Sequence, residues 1–356
     1  MSTRTGEVHS CSPPVLVLQT DVDIGKENKI MKLRQLGVTG LPVSVLGFGC
    51  GAIGGLLTKG DPREQRDAIA TALGAGITYF DTAPLYGNGA SETNLGRVFA
   101  ELGGVPSGTV IGTKVRIDPA QAMDAPATIR SSIEDSLTRL RMDRVDLLQL
   151  HTSITGRSGR GVTVRDVFGP IMDGLETVRD AGLASWVGIT ANGDTDAVRE
   201  VVRSGRTATA QVLLNALNPS AGWAHHLAPG GHDFSGLLRD TIAHDVGVIV
   251  IRSLAAGALA AKDARHPNAG EPGGIAGERY DDDIARAHRL SAVAHELGME
   301  GPAELAVRFA QSTPGVATVI VGYSDHDQLD DAIRWTRKGN LAPDEIARIL
   351  RAAVNP

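Results

Sequence analysis

Four residues of reactive type follow three successive apolar runs of the chain. Asp81 ends the run ITYFD and Tyr86 follows five positions later. Lys114 lies near the end of VIGTKV, and His151 comes directly after VDLLQL. Each has an ordinary structural role open to it, such as a turn cap, a packed phenol or a lysine stem lying along apolar surface. Their recurrence after three successive runs favours a shared site.

The phenol of Tyr86 could transfer a proton if a neighbouring charge lowered its pKa. A free phenol has a pKa of about 10, which is too high for efficient proton transfer near neutrality. An ammonium about 4 Å away, at an effective dielectric constant near 20, favours the phenolate by roughly 4 kcal/mol. That attraction predicts a pKa near 7 for Tyr86, although a carboxylate beside Lys114 would cancel part of it.

The chemistry predicted for this set is proton delivery to, or removal from, an oxygen bound to carbon. A neutral imidazole at His151 could hydrogen-bond that oxygen and orient it, while Asp81 holds Lys114 in its charged form. Nothing in the set donates a hydride or is an activated nucleophile. A redox reaction would therefore need a cofactor, whereas an unrelated barrel lyase or isomerase would use Lys114 as an amine nucleophile.

The elements that must position these residues alternate regularly from Met31 onward. A hairpin pattern turns near Gly37 to Gly40 and leads into a strand that ends at Gly49. Eight apolar runs, each followed by helical sequence, read as buried strands: VSVLGFG, ITYFDTA, VIGTKV, VDLLQLH, ASWVGIT, ATAQVLL, GVIVIRSL and ATVIVG. Continuous apolar strands are typical of a parallel sheet covered by helices.

Eight such units predict an α/β fold, a (β/α)₈ TIM barrel with an N-terminal β-hairpin and C-terminal helices. A doubly wound open sheet is the alternative, because strand order cannot be read from spacing. In a barrel the C-terminal ends of the strands share one rim, so the four residues would converge there. Asp61 and Ser91 are predicted to cap the helices that follow the first two strands.

Composition and terminal sequence limit the setting of the chain. Residues 1–30 show no clear period and are predicted to be a flexible N-terminal arm, with residues 31–356 forming the single barrel. The net charge of −6 gives no reason to expect nucleic acid or an anionic membrane as a partner. With two cysteines and no signal-peptide pattern at the N-terminus, a cytoplasmic location is predicted.

The run GCGAIG, Gly49 to Gly54, spells G-x-G-x-x-G directly after a strand. A dinucleotide-binding Rossmann turn would need its helix to begin within the glycines. Here the helix signals begin only at Asp61. The run is therefore interpreted as a turn whose glycines leave room for a ligand or for close packing.

Taken together, these residues resemble the aldo-keto reductase family from about Met31 to the C-terminus. The resemblance is carried by LGFGCGAIGG, GITYFDTAPLYGNGASETNLGRVF, VIGTKV, SIEDSLTRLRMDRVDLLQLH, WVGIT and VIVGYSDHDQL. It implies a barrel that binds a nicotinamide dinucleotide across its rim without a Rossmann domain. It also implies that Tyr86 is the general acid/base, Lys114 lowers its pKa, Asp81 partners Lys114, and His151 orients the carbonyl.

The same resemblance implies which residues hold the cofactor. Thr190 and Gln211 match positions that hold the nicotinamide carboxamide, while Asn192 is displaced by one position from the usual asparagine. The other matches lie in the loop after the first strand, after the seventh and after the last: Gly51, Arg252, Ser253, Leu254, Gly257, Leu259, Gly322, Ser324 and Gln328. No metal site is predicted.

Cofactor choice stays open between NADP and NAD. The family as a whole favours NADP, whose 2′-phosphate normally meets an arginine or lysine. The segment GYSDHDQLDDA offers only His326 as a cation among four aspartates, which favours NAD.

The resemblance implies an NAD(P)-dependent oxidoreductase that interconverts an alcohol with an aldehyde, ketone or sugar carbonyl. The first strand and its hairpin look like those of the branch containing aldose and pyridoxal dehydrogenases. The alternative is a non-catalytic or weakly catalytic regulatory subunit that binds NAD(P) and senses redox state. Substrate choice would depend on the loops 152–163 and 260–280, the second predicted to be mobile and to lie over the site.

Overall fold

A computed structural model describes residues 31–157, 159, 161–227, 230–260 and 280–354. The described chain begins with an antiparallel hairpin, in which β1 (Leu33–Gln35) pairs with β2 (Pro42–Ser44) around a short helical turn at Gly37–Thr39. The predicted hairpin is confirmed. The proposed arm at 1–30 and nearly all of the proposed loop at 260–280 lie outside the described residues.

Eight parallel strands close into a barrel. The remaining strands are β3 (Leu46–Gly49), β4 (Tyr79–Asp81), β5 (Val110–Val115), β6 (Val145–Leu150), β7 (Ile154–Thr155), β8 (Val162–Thr163), β9 (Ala184–Thr190), β10 (Thr209–Leu213), β11 (Gly247–Ile251) and β12 (Val316–Gly322). Around the barrel the order is β3, β4, β5, β6, β9, β10, β11 and β12, with β12 paired to β3. Because spatial order follows chain order and the ring closes, the TIM barrel is confirmed and the open doubly wound sheet is wrong.

Helices surround the barrel. Their bounds are α1 (Leu56–Lys59), α2 (Pro62–Gly74), α3 (Ala90–Glu101), α4 (Ala125–Leu140), α5 (Val164–Asp166), α6 (Met172–Asp180), α7 (Thr195–Arg203), α8 (Leu237–Ala243), α9 (Tyr280–Glu296), α10 (Pro302–Ser312), α11 (His326–Arg337) and α12 (Pro343–Val354). Helix α2 begins as expected, since the Asp61 carboxylate accepts the Arg63 N–H at 2.8 Å. The one-turn helix α1 was not predicted.

The two ends of the barrel differ in chemistry. At the N-terminal end the hairpin acts as an apolar plug, in which Leu36 and Val43 are fully buried and cluster with Val110 and Leu147. The opposite end carries the polar strand ends. Ligands therefore have access from the C-terminal rim, where barrels of this type place their sites.

The glycine-rich turn after β3 is explained by close packing. A Cβ at Gly49 would lie 2.6 Å from the Ile320 side chain, and one at Gly54 would lie 2.5 Å from the Tyr323 backbone. The strand-to-helix spacing of a Rossmann turn is absent here, because α1 begins only at Leu56.

None of the helices that the structure describes is both long enough and apolar enough to cross a membrane.

Candidate active site

A buried ion pair joins two neighbouring strands at the rim. Lys114 Nζ, near the end of β5, lies 2.6 Å from Asp81 Oδ2 at the end of β4, and it also donates to the Thr82 carbonyl at 2.8 Å. Lys114 is 1% exposed and Asp81 3%. Burial would lower the pKa of Lys114, but the charge of Asp81 and the contact with Tyr86 outweigh it and raise that pKa above its usual value. The lysine is therefore an ammonium.

Tyr86 reaches this pair from the loop after β4. Gly87, Asn88 and Gly89 all have positive φ, at 62°, 52° and 87°. Glycine adopts this left-handed region freely and asparagine tolerates it better than most residues, which explains the sequence YGNG. The resulting turn places the Tyr86 ring with its centroid 4.7 Å from Lys114 Nζ.

His151 completes the group, edge-on to the phenol, with ring centroids 6.1 Å apart. Burial, together with the positive charges of Lys114 and Arg116, lowers the pKa of His151 to about 3. The imidazole is therefore neutral at physiological pH and can share a hydrogen bond with a substrate oxygen. The four residues singled out from strand ends thus converge at one place.

The expected fall of the Tyr86 pKa to about 7 is wrong for this structure. Burial raises the pKa of Tyr86 above 10, against the lowering effect of the Lys114 ammonium, and the Asp81 carboxylate raises it further. The earlier expectation counted the attraction between phenolate and ammonium without the full cost of removing the phenolate from water. Tyr86 consequently carries its proton at neutral pH.

The loop that carries Tyr86 is fixed by a side chain whose role was predicted wrongly. Ser91 does not cap α3, because the helix begins at Ala90 and Gly89 occupies the cap position. The Ser91 hydroxyl instead donates to the Cys50 carbonyl at 2.9 Å and lies 2.8 Å from the Thr82 hydroxyl. It therefore joins the loop after β3 to the segment between Asp81 and Tyr86.

A buried carboxylate in α3 links this helix to β5 and α4 and was not singled out from the sequence. Glu92 is fully buried, accepts the Thr113 hydroxyl at 2.6 Å and pairs with Arg139 Nε at 2.6 Å. Thr113 directly precedes Lys114. The contact therefore fixes the start of α3 against the strand that carries the lysine.

A second phenol, also missed, lies beneath the ion pair inside the barrel. Tyr79 is fully buried and donates to Asp81 Oδ1 at 3.2 Å, and Gln211 Nε2 donates to the same oxygen at 2.5 Å. A Cβ at Gly112 would lie 2.6 Å from the Tyr79 hydroxyl oxygen, so only glycine leaves room for it. Residues two apart on a strand share a face, and this spacing could have identified Tyr79 as a neighbour of Asp81.

The two residues expected to hold a nicotinamide carboxamide are side by side. Thr190 and Gln211 are register partners on β9 and β10. The buried Thr190 hydroxyl has no hydrogen-bond partner among the described residues. Asn192 is placed differently, since its side chain is exposed and donates to Ser153 Oγ at 3.0 Å. It joins two loops of the rim, whereas Thr190 and Gln211 lie buried side by side, with Gln211 Nε2 donating to Asp81.

The segment after β11 offers a site for an anion. Arg252 is exposed and has positive φ (59°), and its guanidinium has no partner among the residues the structure describes. Ala256 and Gly257 are also left-handed, at φ 54° and 103°. Turns of this kind aim backbone N–H groups at one point and bind anions.

The other residues expected to contact the cofactor after β11 and in the loop after β3 differ in burial and in the atoms that could contact a ligand. The Leu259 side chain lies in the apolar cluster beneath α9, α10 and α12, so only its backbone could face a ligand. Ser253 is buried and donates to the Ile320 carbonyl at 3.3 Å. Leu254 packs partly buried against the core, and a Cβ at Gly51 would meet the Tyr86 ring at 3.9 Å.

The segment after β12 is acidic and already structured. Gly322 is exposed at the strand end, and Gln328 Oε1 accepts the Ser324 N–H at 2.9 Å. Asp325 caps α11, and His326 Nε2 lies 3.1 Å from the Thr71 hydroxyl. The cation predicted for this segment is therefore hydrogen-bonded to α2.

These features fit a nicotinamide dinucleotide. The Thr190 hydroxyl beside Gln211 suits a carboxamide, and the Arg252 guanidinium beside left-handed backbone suits a diphosphate, since neither group has a partner among the described residues. Among the described residues there is no group of three or more His, Cys, Asp or Glu side chains placed to hold a metal ion.

Comparison with known proteins agrees with this geometry. The chain is 27% identical to an L-galactose dehydrogenase of Arabidopsis thaliana, covering 85% of this chain and 87% of that one. It is 25% identical to a probable voltage-gated potassium channel subunit beta of Oryza sativa subsp. japonica, covering 91% and 97%. The holo form of aldo-keto reductase AKR11C1 from Bacillus halodurans superposes with a TM-score of 0.69 at 24% identity, covering 91% and 97%.

Residues 45–353 match the Aldo/keto reductase family. That range contains every strand of the closed barrel and all four rim residues. The chain therefore belongs to the aldo/keto reductase family.

Proposed function

We infer that this protein is an NAD(P)-dependent oxidoreductase that interconverts a carbonyl and an alcohol, with Tyr86 as general acid/base. The observation that carries this proposal is the Tyr86 phenol, protonated at neutral pH, set against the Lys114 ammonium and beside a neutral imidazole. An aldose or related sugar is the favoured substrate class, since the L-galactose dehydrogenase relative is named for a sugar.

When bound at the rim, a nicotinamide would supply the hydride chemistry of the reaction, and the residues of this chain would orient the substrate and move its proton. His151 hydrogen-bonds the substrate oxygen and fixes its position at the rim. As negative charge develops on that oxygen, the Tyr86 phenol donates its proton, and the ammonium of Lys114 stabilises the phenolate left behind. Asp81 keeps Lys114 charged and in place, and oxidation of an alcohol runs these steps in reverse.

For the cofactor, we propose that Thr190 and Gln211 hold the carboxamide and Arg252 the diphosphate. The exposed Asp325, Asp327 and Asp330 would repel a 2′-phosphate, which favours NAD over NADP at the adenosine end. Measured dissociation constants for both reduced cofactors test this choice, and much tighter binding of NADPH would refute it.

The test of the function compares Tyr86→Phe with the wild type. A screen of aldehydes, ketones and sugars with both cofactors, followed at the nicotinamide absorbance, should reveal turnover that the variant loses by roughly 100-fold or more. Cofactor binding, measured by fluorescence titration, should change little. The matched control is Tyr323→Phe, a buried tyrosine after β12, which should retain turnover. Undiminished turnover in Tyr86→Phe would sink the assignment.

The alternative function is that of a regulatory subunit, which is suggested by the relative named as a potassium channel beta subunit. In that case the chain binds NAD(P) and reports redox state to a partner, with little turnover. Tight cofactor binding without turnover of any carbonyl in the screen would favour it. The charged state of Lys114 argues against the third option, an amine nucleophile, since a protonated amine cannot attack. The cytoplasmic location stays a prediction from the cysteine content.

A further inference from the structure

Arg116 lies one position beyond β5, in line with the residues of the site. On one side of it, His151 donates its backbone N–H to the Val115 carbonyl at 2.7 Å. On the other side, Ile117 donates its backbone N–H to Thr152 Oγ1 at 2.8 Å. The backbone at Arg116 is therefore held on both sides against the segment that carries His151.

Side-chain alternation directs Arg116 towards the mouth of the barrel. Val115 and Ile117 are each 1% exposed, whereas Arg116 between them is exposed. Because alternate residues of an extended chain face the same way, Arg116 shares the face of Lys114. Its charge also contributes, after burial and Lys114, to the low pKa of His151, in agreement with a guanidinium beside that imidazole.

The charge of Arg116 is not neutralised by the part of the protein that the structure describes. Its guanidinium has no hydrogen-bond or ion-pair partner there. Asp81 is paired with Lys114. Asp118, the acid closest to Arg116 in sequence, accepts the Ala120 N–H at 2.9 Å. An arginine that is free beside a reacting centre matches the geometry of a carboxylate or phosphate.

Arg116 is badly placed for the cofactor. Around the ring, β5 stands four strands from β11 in either direction, so it lies opposite the strand that Arg252 follows. The carboxamide candidates on β9 and β10 also lie away from it, beyond β6. An anion at Arg116 would therefore belong to the molecule that His151 and Tyr86 act on.

We propose that Arg116 binds an anionic group of the substrate, a carboxylate or a phosphate, and that the enzyme prefers a sugar or other carbonyl compound that carries such a group to its neutral counterpart. This inference rests on the proposed oxidoreductase function and narrows its substrate class. The neutral His151 would hold the carbonyl oxygen while the neighbouring guanidinium holds the charged end.

The experiment compares matched substrate pairs in wild type, Arg116→Gln and Arg116→Lys. Succinic semialdehyde is paired with 4-methylpentanal, and glyceraldehyde 3-phosphate with glyceraldehyde, which separates carboxylate from phosphate recognition. In at least one pair, Arg116→Gln should lower kcat/KM for the anionic member by roughly 10- to 100-fold and change the neutral member less than about threefold. Arg116→Lys should retain part of the preference, and added salt should weaken it.

Controls separate this role from others. Arg63→Gln, on the outer helix α2, makes the same charge change and should leave the preference intact. The dissociation constant for the reduced cofactor should be the same in Arg116→Gln and wild type. Equal losses for both members of each pair, no anionic preference in wild type, or weakened cofactor binding would each overturn the proposal.

A binding measurement keeps the inference testable if no carbonyl is turned over. Ligand-observed NMR with glutarate and pentane-1,5-diol should show binding of the dicarboxylate alone, lost in Arg116→Gln. That result without turnover would refute the proposed function and retain the anion site. Turnover without glutarate binding and without an anionic preference would refute the anion site and retain the proposed function.

Discussion

The neutral state of His151 predicts a specific dependence of stability on pH. Its pKa of about 3 in the folded protein lies below the ordinary value of 6.5. Between these values the unfolded chain binds a proton at His151 that the folded protein does not. The free energy of unfolding therefore falls as the pH falls from 6.5 towards 3, and the loss is complete only below 3.

The magnitude follows from the two pKa values. The interval of 6.5 − 3, or about 3.5, at about 1.36 kcal/mol per pKa unit, gives about 5 kcal/mol over the whole range. Between pH 7 and pH 5 the expected loss is about 2 kcal/mol. Partial access of solvent to His151 makes both figures upper limits.

The assay is urea unfolding of wild type and His151→Asn at several pH values from 7 to 5, with the midpoint and slope measured at each. Carboxylates and other histidines contribute equally to both proteins, so the difference between the two curves isolates His151. The control is His295→Asn at an exposed position. In this variant the free energy of unfolding should change with pH as it does in the wild type.

The result that would refute the reasoning is a parallel pH dependence in wild type and His151→Asn. It would mean that His151 titrates near its ordinary pKa in the folded protein. The imidazole would then be partly charged near neutrality, and its proposed role as a neutral hydrogen-bonding group would fail with it.

Three further predictions concern the stability of variants at buried or tightly packed positions. Asp81→Asn leaves its buried lysine partner uncompensated and should cost about 3–5 kcal/mol in urea unfolding, whereas the exposed Asp67→Asn should cost less than about 1. Tyr79→Phe removes a hydrogen bond to that carboxylate and should cost about 1.5–3 kcal/mol; an unchanged unfolding midpoint would contradict the bond. Gly96→Ala places a Cβ 2.4 Å from a backbone carbonyl of α4 and should lower Tm by several degrees. Gly74→Ala, with open space around it, should raise Tm slightly. Equal changes of Tm in the two variants would contradict the steric explanation for Gly96.

The barrel could be predicted from the sequence because its signals are local and repeated. Each strand is a short apolar run, each helix has its own periodicity, and Asp61 caps α2 through the N–H two residues away. The rim residues could be predicted for the same reason, since Asp81, Lys114 and His151 each stand at or next to the end of such a run.

What the sequence could not supply depends on contacts between distant parts of the chain. Glu92 looks like a first-turn carboxylate of α3, yet its partner Arg139 is 47 residues away. Ser91 carries a valid local cap signal, but its hydroxyl bonds the carbonyl of Cys50, 41 residues earlier. Tyr79 and Arg116 could have been identified from the sequence. They lie two positions from Asp81 and Lys114, respectively, and residues two apart on a strand share a face.

The Tyr86 pKa shows why a correct set of residues is not yet a correct electrostatic argument. The low dielectric that strengthens attraction to Lys114 also makes the phenolate costly, and Asp81 sets an opposite charge 2.6 Å from the ammonium. Ammonium and carboxylate then act on the phenol almost as a dipole, which leaves burial as the largest influence. The ion pair therefore matters less for the ground state of Tyr86 than for the moment after proton transfer. Once the phenolate exists, the preorganised ammonium is already beside it.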